Sequence, residues 1–418
     1  KWQHELAHVE NVLHAWLEVT RDWQNLESIF LKSAEIRRQL PDDAATFEQV
    51  HGDFAMLMEQ AAQTPNVLQA CSNHELSHLL GEKLLPRLER CQASLHNYLA
   101  HQRKKFPRFY FVSNDALVRV LSNAKEPRAI VAECCECFYD TFSTIEFDEL
   151  AYTERGANEI LSISSATETM RFEEPFVIDP KESIEAWLTR FEAQISCTLR
   201  DAMANALASG AEIAEKQRFD WVFDVPAQIV LTTLAAAVTE ETELALDNVE
   251  GGDGAHALHA HLGKRQERVH EMVEIARQKL TTAQRTAVVN MITSDVHARD
   301  VVARLVEKNV KSKQDFAWAQ QLRFYYSAPT GAGKADDELA RVNVRICDVG
   351  DPAAGGSELE YLFQYTGNTA RLVVTPLTER CLVTLTKSVS MNLGCLISGP
   401  AGAGKTETVK DLAASLGR

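Results

Sequence analysis

Residues 399–418 read GPAGAGKTETVKDLAASLGR. The stretch satisfies G-x-x-x-x-G-K-[ST] at every fixed position, with Gly399, Gly404, Lys405 and Thr406 where the pattern requires them. The chemistry explains these residue types. Glycines let backbone N–H groups turn inward around phosphate oxygens, and a lysine amino group reaches the β- and γ-phosphates. A threonine hydroxyl at a helix start can ligate Mg²⁺ where the helix dipole favours an anion. The flanks agree, since Leu396-Ile397 reads as a strand leading in and Glu407–Leu416 has helical spacing. These features favour a phosphate-binding loop between strand and helix over a chance Gly-rich turn.

Upstream, the pattern is mostly helical. Leu13, Trp16, Val19, Trp23, Leu26 and Phe30 recur every three or four positions and predict one helical stripe. Leu80, Leu84, Leu88, Cys91, Leu95 and Tyr98 predict a second, Val269, Met272, Ala276 and Leu280 a third, and Val302, Leu305 and Val306 a fourth. FPRFYFV at 106–112 has strand-like content, with Ser113 placed to cap a following helix. Residues 144–178 suggest a small β element ahead of a helix carrying Trp187 and Leu188, and DNVEGGDGAH at 247–256 reads as a loop. After Tyr326 the texture changes to a polar, Gly-rich stretch, then the strand-like runs VNVRICDV, LEYLFQY and RLVVTP and a helix over 378–392. This places a domain boundary near 327–340. The expected fold is mainly α: an elongated helical bundle with small β elements over 1–330, then the N-terminal part of an α/β P-loop module over 331–418.

Other motifs are weighed against their simpler readings. TGAGKADD at 330–337 imitates the phosphate loop, but Ala335 replaces the Ser or Thr that would bind magnesium, so it reads as a loop. His74-Glu75-Leu76-Ser77-His78 is an HExxH, yet Leu84 stands where a third zinc ligand would fall, and Leu76, Leu79, Leu80 and Leu84 favour a packed helix. Cys134 and Cys137 form a C-x-x-C with no second pair. His256, His259 and His261 read as a solvated loop, and Arg299-Asp300 as a structural ion pair. No metal site other than magnesium at Thr406 is expected.

Composition limits the function classes. The chain has 418 residues, 45% hydrophobic and 24% charged, enough for several domains with real cores. A net charge of -16 makes nucleic acid an unexpected partner. No apolar run approaches the roughly 20 residues that cross a bilayer, and KWQHELAHVE lacks a signal-peptide pattern, so an intracellular protein without a membrane partner is expected. Nine scattered cysteines point to reduced thiols.

Taken in order, WLEVTRDWQNLESIF, IRRQLP, KKFPRFYFVSNDAL, SDVHARDVV, DFAWAQQLRFYY, RLVVTPLTERC and GPAGAGKTETVKDLA resemble the heavy chains of dynein, closest in flavour to the axonemal type. The resemblance covers nearly the whole chain. It implies that residues to about 330 are most of the linker, a helical lever over an ATPase ring, and that 331–418 opens the first AAA+ module of a longer chain. It implies ATP or ADP with Mg²⁺ as cofactors. Gly399, Pro400, Ala401, Gly402, Ala403, Gly404, Lys405 and Thr406 would form the nucleotide loop, with Lys405 on the phosphates and Thr406 on Mg²⁺. The segment 372–377, including Val374 and Pro376, would line the adenine pocket.

The same resemblance implies an ATP-driven motor of cilia and flagella, located in the cytoplasm and cytoskeleton at the axoneme. Its partners would be the remaining AAA+ modules, microtubules through a stalk, and other dynein heavy, intermediate and light chains. No catalytic residue is expected within these 418 positions, because the acid, the sensors and the arginine finger of the family lie further along, so this stretch alone would not turn over ATP. The chain departs from the family at Ala403, usually Thr, and at 394–398, where the family usually has Gly-Gly and a Pro. Two rivals remain: another P-loop ATPase with a helical regulatory array, and a helical scaffold that does not hydrolyse nucleotide.

Overall fold

A computed structural model describes residues 2–71, 74–123, 126–131, 138–139, 141–179, 181–210, 220–250, 255–328, 340–347 and 357–418. They group into two units, one of residues 1–139 with 178–189, the other of 140–177 with 190–418.

The first unit is helical. Helix α1 (Trp2–Lys32) buries Val9, Val12, Val19, Leu26, Ile29 and Phe30. Of the expected stripe, Val19, Leu26 and Phe30 are buried and Trp16 and Trp23 half-buried; Leu13 is 38% exposed, and the smaller β-branched Val9 and Val12 turn inward at that end of the helix. Trp23 is half-buried, packed on Phe54 at 4.9 Å between ring centres and donating its Nε1–H to His51 Nδ1 at 3.3 Å. Helix α2 (Pro41–Gln63) starts on a proline, whose missing N–H costs nothing at a first helical position, and packs Phe47 on Phe30. A π-helical turn at Leu79–Leu84 leads into α3 (Leu85–Lys105), and Leu80, Leu84, Leu88, Cys91 and Leu95 are all buried as the second stripe predicts.

FPRFYFV is not a strand. Pro107–Phe111 forms a 3₁₀ turn, because the backbone carbonyls there find a side-chain donor instead of a neighbouring strand. Arg103 at the end of α3 donates to the carbonyls of Phe109 (3.1 Å) and Val112 (2.9 Å), and Phe109 is sealed against Phe106 and Phe138. Ser113 does cap helix α4 (Asn114–Ser122), its Oγ accepting from Ala116 N at 3.3 Å. Helix α5 (Ile184–Gly210) begins in this unit, with Trp187 and Leu188 buried, and continues in the second.

In the second unit, β1 (Thr144–Phe147), β2 (Asn158–Ser164) and β3 (Thr169–Ile178) form the expected small sheet, ordered β1-β2-β3. Three long helices follow: α6 (Ala227–Asn248), α7 (Ala255–Ala276) and α8 (Thr282–Glu307). Val230, Leu234, Met272, Ile275, Val288 and Met291 close one end of their core, and Leu246, Leu258, Val302, Leu305 and Trp318 the other. Thr281 and Gln284 start α8 with a reciprocal capping box, bonds of 3.2 and 3.1 Å.

Between these helices lie buried charges. Asp295 on α8 sits 3.3 Å from Arg268 and 3.9 Å from Arg265, both on α7, and Arg265 also meets Glu241 on α6. The expectation of a solvated loop at 256–261 is overturned: His256, His259 and His261 lie on α7, and His261 is buried with its Nε2 3.0 Å from Thr242 Oγ1. Burial, then the neighbouring Arg265 charge, lowers its pKa to about 4. Arg299 and Asp300 form the expected surface ion pair at 2.6 Å.

A second sheet, β4 (Arg323–Ser327), β5 (Arg341–Ile346) and β6 (Ser357–Glu360), is antiparallel and buries Val342, Val344 and Ile346. It is pinned to α6 by the bond from Phe324 N to Thr239 Oγ1 at 3.0 Å. Helices α9 (Pro376–Ser390) and α10 (Lys405–Ser415) complete the unit, where the sequence places them. Three expected strands do not form in full. LEYLFQY is strand only to Glu360, RLVVTP is irregular, and Leu396-Ile397 pairs with no strand among the described residues, leaving Leu396 94% exposed. In RLVVTP side chains replace a ladder: Arg371 N donates to Asn290 Oδ1 at 2.9 Å and Leu372 N to Asp411 Oδ1 at 3.3 Å. The stretches 134–137, 251–254 and 330–337 fall outside the described residues.

Candidate functional site

The loop 399–404 runs into the N-terminus of α10. Gly402 and Gly404 adopt φ of +75° and +76°, the left-handed region where glycine carries no Cβ penalty, and both are exposed. Gly404 is the N-cap and offers no side chain, so the first-turn N–H groups have no capping acceptor. The Lys405 side chain folds back along the loop, its Nζ donating to the carbonyls of Gly399 (3.0 Å) and Pro400 (2.6 Å). Thr406, one residue on, is exposed. The pattern-fixed residues thus meet at the exposed start of α10, where amide donors, an ammonium and a hydroxyl lie close in the chain. That donor set suits a polyphosphate with its cation.

Behind the loop, α10 is held firmly. Thr408 and Leu412 turn inward. Asp411 accepts from Leu372 N and lies 3.3 Å from Arg371 Nε, while Arg371 Nη2 reaches Ser415 Oγ at 2.5 Å. At its far end the carbonyls of Leu416 and Gly417 accept from Leu362 N (3.1 Å) and Gln364 N (3.0 Å).

A cavity of about 150 Å³ borders this anchor, lined among others by Gln228, Asn290, His297, Arg371, Val374 and Glu379. Val374, expected in an adenine pocket, faces this cavity, and Pro376 is exposed at the first position of α9. No described contact joins either residue to the loop. His297, on the cavity wall, has its pKa lowered chiefly by burial. Gln228 is buried and fully used, donating to Tyr361 Oη (3.1 Å) and the Gln364 carbonyl (3.0 Å) and accepting from Thr366 N (2.7 Å). At the HExxH stretch, His78 is exposed and pairs with Glu82 at 3.0 Å, while Leu76 and Leu80 are buried.

The turn into α10 lies where the sequence pattern puts it, and the residues that hold it from behind carried weaker signals. Asn290 is 1% exposed on the inward face of α8, between Val288 and Met291, and a polar residue in that frame was the available signal. Arg371 and Asp411 carried no such mark.

Comparison with known proteins bears on both ends of the chain. A family model described as "Dynein heavy chain, N-terminal region 2" matches residues 1–206, and one described as "Hydrolytic ATP binding site of dynein motor region" matches residues 361–418. Over its whole length the chain is similar to human dynein axonemal heavy chain 17, 36% identical over 417 residues. It is 34% identical over 420 residues both to the flagellar outer arm dynein beta chain and to the flagellar inner arm I1 complex dynein-1-beta heavy chain of Chlamydomonas reinhardtii. All of the chain is covered in each case. It spans 9% of the length of the human and outer-arm relatives.

Proposed function

This chain belongs to the dynein heavy chain family, and from that premise we propose that it works as part of an ATP-driven motor, with residues 399–406 holding the nucleotide. The observation that carries the assignment is the loop itself: two left-handed glycines, uncapped amides at the start of α10, and Lys405 folded in among them. The amides of the first turn donate to phosphate oxygens. Lys405 exchanges its bonds to the Gly399 and Pro400 carbonyls for bonds to phosphate, and the Thr406 hydroxyl supplies a ligand to Mg²⁺. Bound ATP with Mg²⁺ supplies the phosphoanhydride whose hydrolysis drives the cycle. The residues of this chain bind and orient it; the groups that activate water and stabilise the transferred phosphoryl belong elsewhere in the heavy chain.

In this reading residues 1–330 form most of the linker that acts as lever, 331–418 open the first AAA+ module, and Val374 and Pro376 border the adenine. The whole heavy chain would act with its other AAA+ modules, with microtubules and with further dynein chains, in the axoneme of cilia or flagella. The axonemal relatives support that placement.

The test is nucleotide binding to the full-length heavy chain with the other nucleotide sites disabled. Lys405→Ala removes a charge-assisted bond and is expected to weaken ADP binding about 10- to 100-fold. Thr406→Ala is expected to reduce mainly the Mg²⁺-dependent part. Equal binding by wild type and Lys405→Ala would sink the assignment.

A further inference from the structure

Asn290 is a point at which a side chain of α8 meets the backbone of 369–371, while the Ala283 carbonyl nearer the start of α8 accepts from Asn368 Nδ2 at 3.2 Å. Its side chain is 1% exposed, and each of its polar atoms is spent on one short segment. Nδ2 donates to Asn368 Oδ1 (3.1 Å) and to the Thr369 carbonyl (2.8 Å), and Oδ1 accepts from Arg371 N (2.9 Å). Arg371 then reaches α10, its Nε 3.3 Å from Asp411 and its Nη2 2.5 Å from Ser415. Asp411 also holds the next backbone amide, Leu372 N, at 3.3 Å. A single run of hydrogen bonds therefore joins the middle of α8 to the helix that begins at Lys405. A shift of α8 by a fraction of a hydrogen-bond length must be followed by 368–372 or must break the bonds of a buried amide, a loss of roughly 1–3 kcal/mol per orphaned group.

We propose that Asn290 and Arg371 are positioning residues for the nucleotide loop, and that through them the state of α8 sets the affinity of residues 399–406 for nucleotide. The proposal rests on the nucleotide-binding reading given above. Neither residue touches the ligand; each acts by fixing where the first turn of α10 points. Linkage makes the coupling reciprocal, so nucleotide bound at the loop holds α8 in the arrangement that keeps the Asn290 bonds intact.

The test is a double-mutant cycle in the full-length heavy chain, read as equilibrium affinity for fluorescently labelled ADP, with Lys405→Ala alongside. Asn290→Ala and Arg371→Ala are each expected to weaken binding about tenfold, and the double variant to be no weaker than the worse single one, because both cut the same connection. Arg371→Lys keeps the charge beside Asp411 and leaves the backbone bond to Asn290 available. It provides a folded variant in which loss of the Ser415 contact alone is expected to cost about threefold. Wild-type affinity in folded Asn290→Ala or Arg371→Lys, or effects that multiply in the double variant, would overturn the inference while leaving the Lys405 result standing. If Lys405→Ala binds ADP like wild type, the loop assignment itself has failed, and the two failures are told apart.

Discussion

Arg304 on α8 and Glu379 on α9 form a two-pronged ion pair, with Nη1 2.9 Å from Oε2 and Nη2 in contact with Oε1. Glu379 is 8% exposed, and Arg304 keeps about a third of its side chain in solvent. The pair joins one of the long helices to the helix opened by Pro376, over the cavity wall. Its asymmetry of burial gives the first prediction. Arg304→Met leaves a buried carboxylate without a counter-charge and is expected to cost about 3 kcal/mol, while Glu379→Gln leaves a half-solvated guanidinium and costs about 1 kcal/mol. Urea unfolding of the two variants checks the order; equal costs would mean that the pair is solvated in practice.

His261 predicts a pH dependence. Its pKa in the folded chain is near 4, below the 6.5 of an unfolded histidine, so the unfolded state binds the extra proton between those values. The stabilisation is complete above pH 6.5 and is lost progressively as pH falls toward 4, up to about 3 kcal/mol. His261→Gln keeps a partner for Thr242 without titrating, and the difference in stability between wild type and variant, measured from pH 7.5 to pH 4.5, should shrink accordingly. A pH-independent difference would show that the ring is protonated or solvated in the folded state.

Gly417 predicts a steric limit. A Cβ added there would stand 2.7 Å from the Tyr361 ring and 3.0 Å from Phe363 N, and φ is +61°. The Tyr361 ring is itself completely buried, so it cannot swing aside. Gly417→Ala is expected to cost about 2–4 kcal/mol, against about 1 kcal/mol for Gly404→Ala, where φ is +76° but no atom lies within 4 Å. Thermal melts of the two variants give the comparison.

Glu168 predicts the cost of losing a shared buried acceptor. Its carboxylate accepts from Ala227 N (2.9 Å) at the start of α6 and from Tyr365 Oη (2.8 Å), with burial raising its pKa. Glu168→Ala leaves a helix amide and a buried phenol without an acceptor and is expected to cost about 2 kcal/mol; Glu168→Gln, which still offers one carbonyl, should cost less than half of that. Amide exchange at Ala227, faster in the alanine variant, locates the damage.

How far these relationships could be read from the sequence depended on their range. The helices with a clean 3.6-residue repeat, such as Leu80 to Leu95, and the cap at Ser113 were legible because their causes lie within four residues. The glycine turn that leads into α10 was legible for the same reason. FPRFYFV misled because its strand propensity was overridden by Arg103, a partner from the helix before it, and RLVVTP because Asn290 and Asp411 supply its acceptors from far along the chain. Histidine 261 was misplaced by its glycine-rich neighbours, whereas the helix beginning at Ala255 decides its burial. Hydrophobic periodicity marks which face turns inward, but it is silent about which buried polar group answers which.

The carbonyls of Leu416 and Gly417 are stitched to the amides of Leu362 and Gln364. That seam resists any large roll of α10 about its own axis, because such a roll would carry both carbonyls out of reach of their amides. A displacement of α10 along or across its axis would accordingly draw on the strip 361–372 as well, while the left-handed glycines at 402 and 404 stand between the helix and the chain that precedes it.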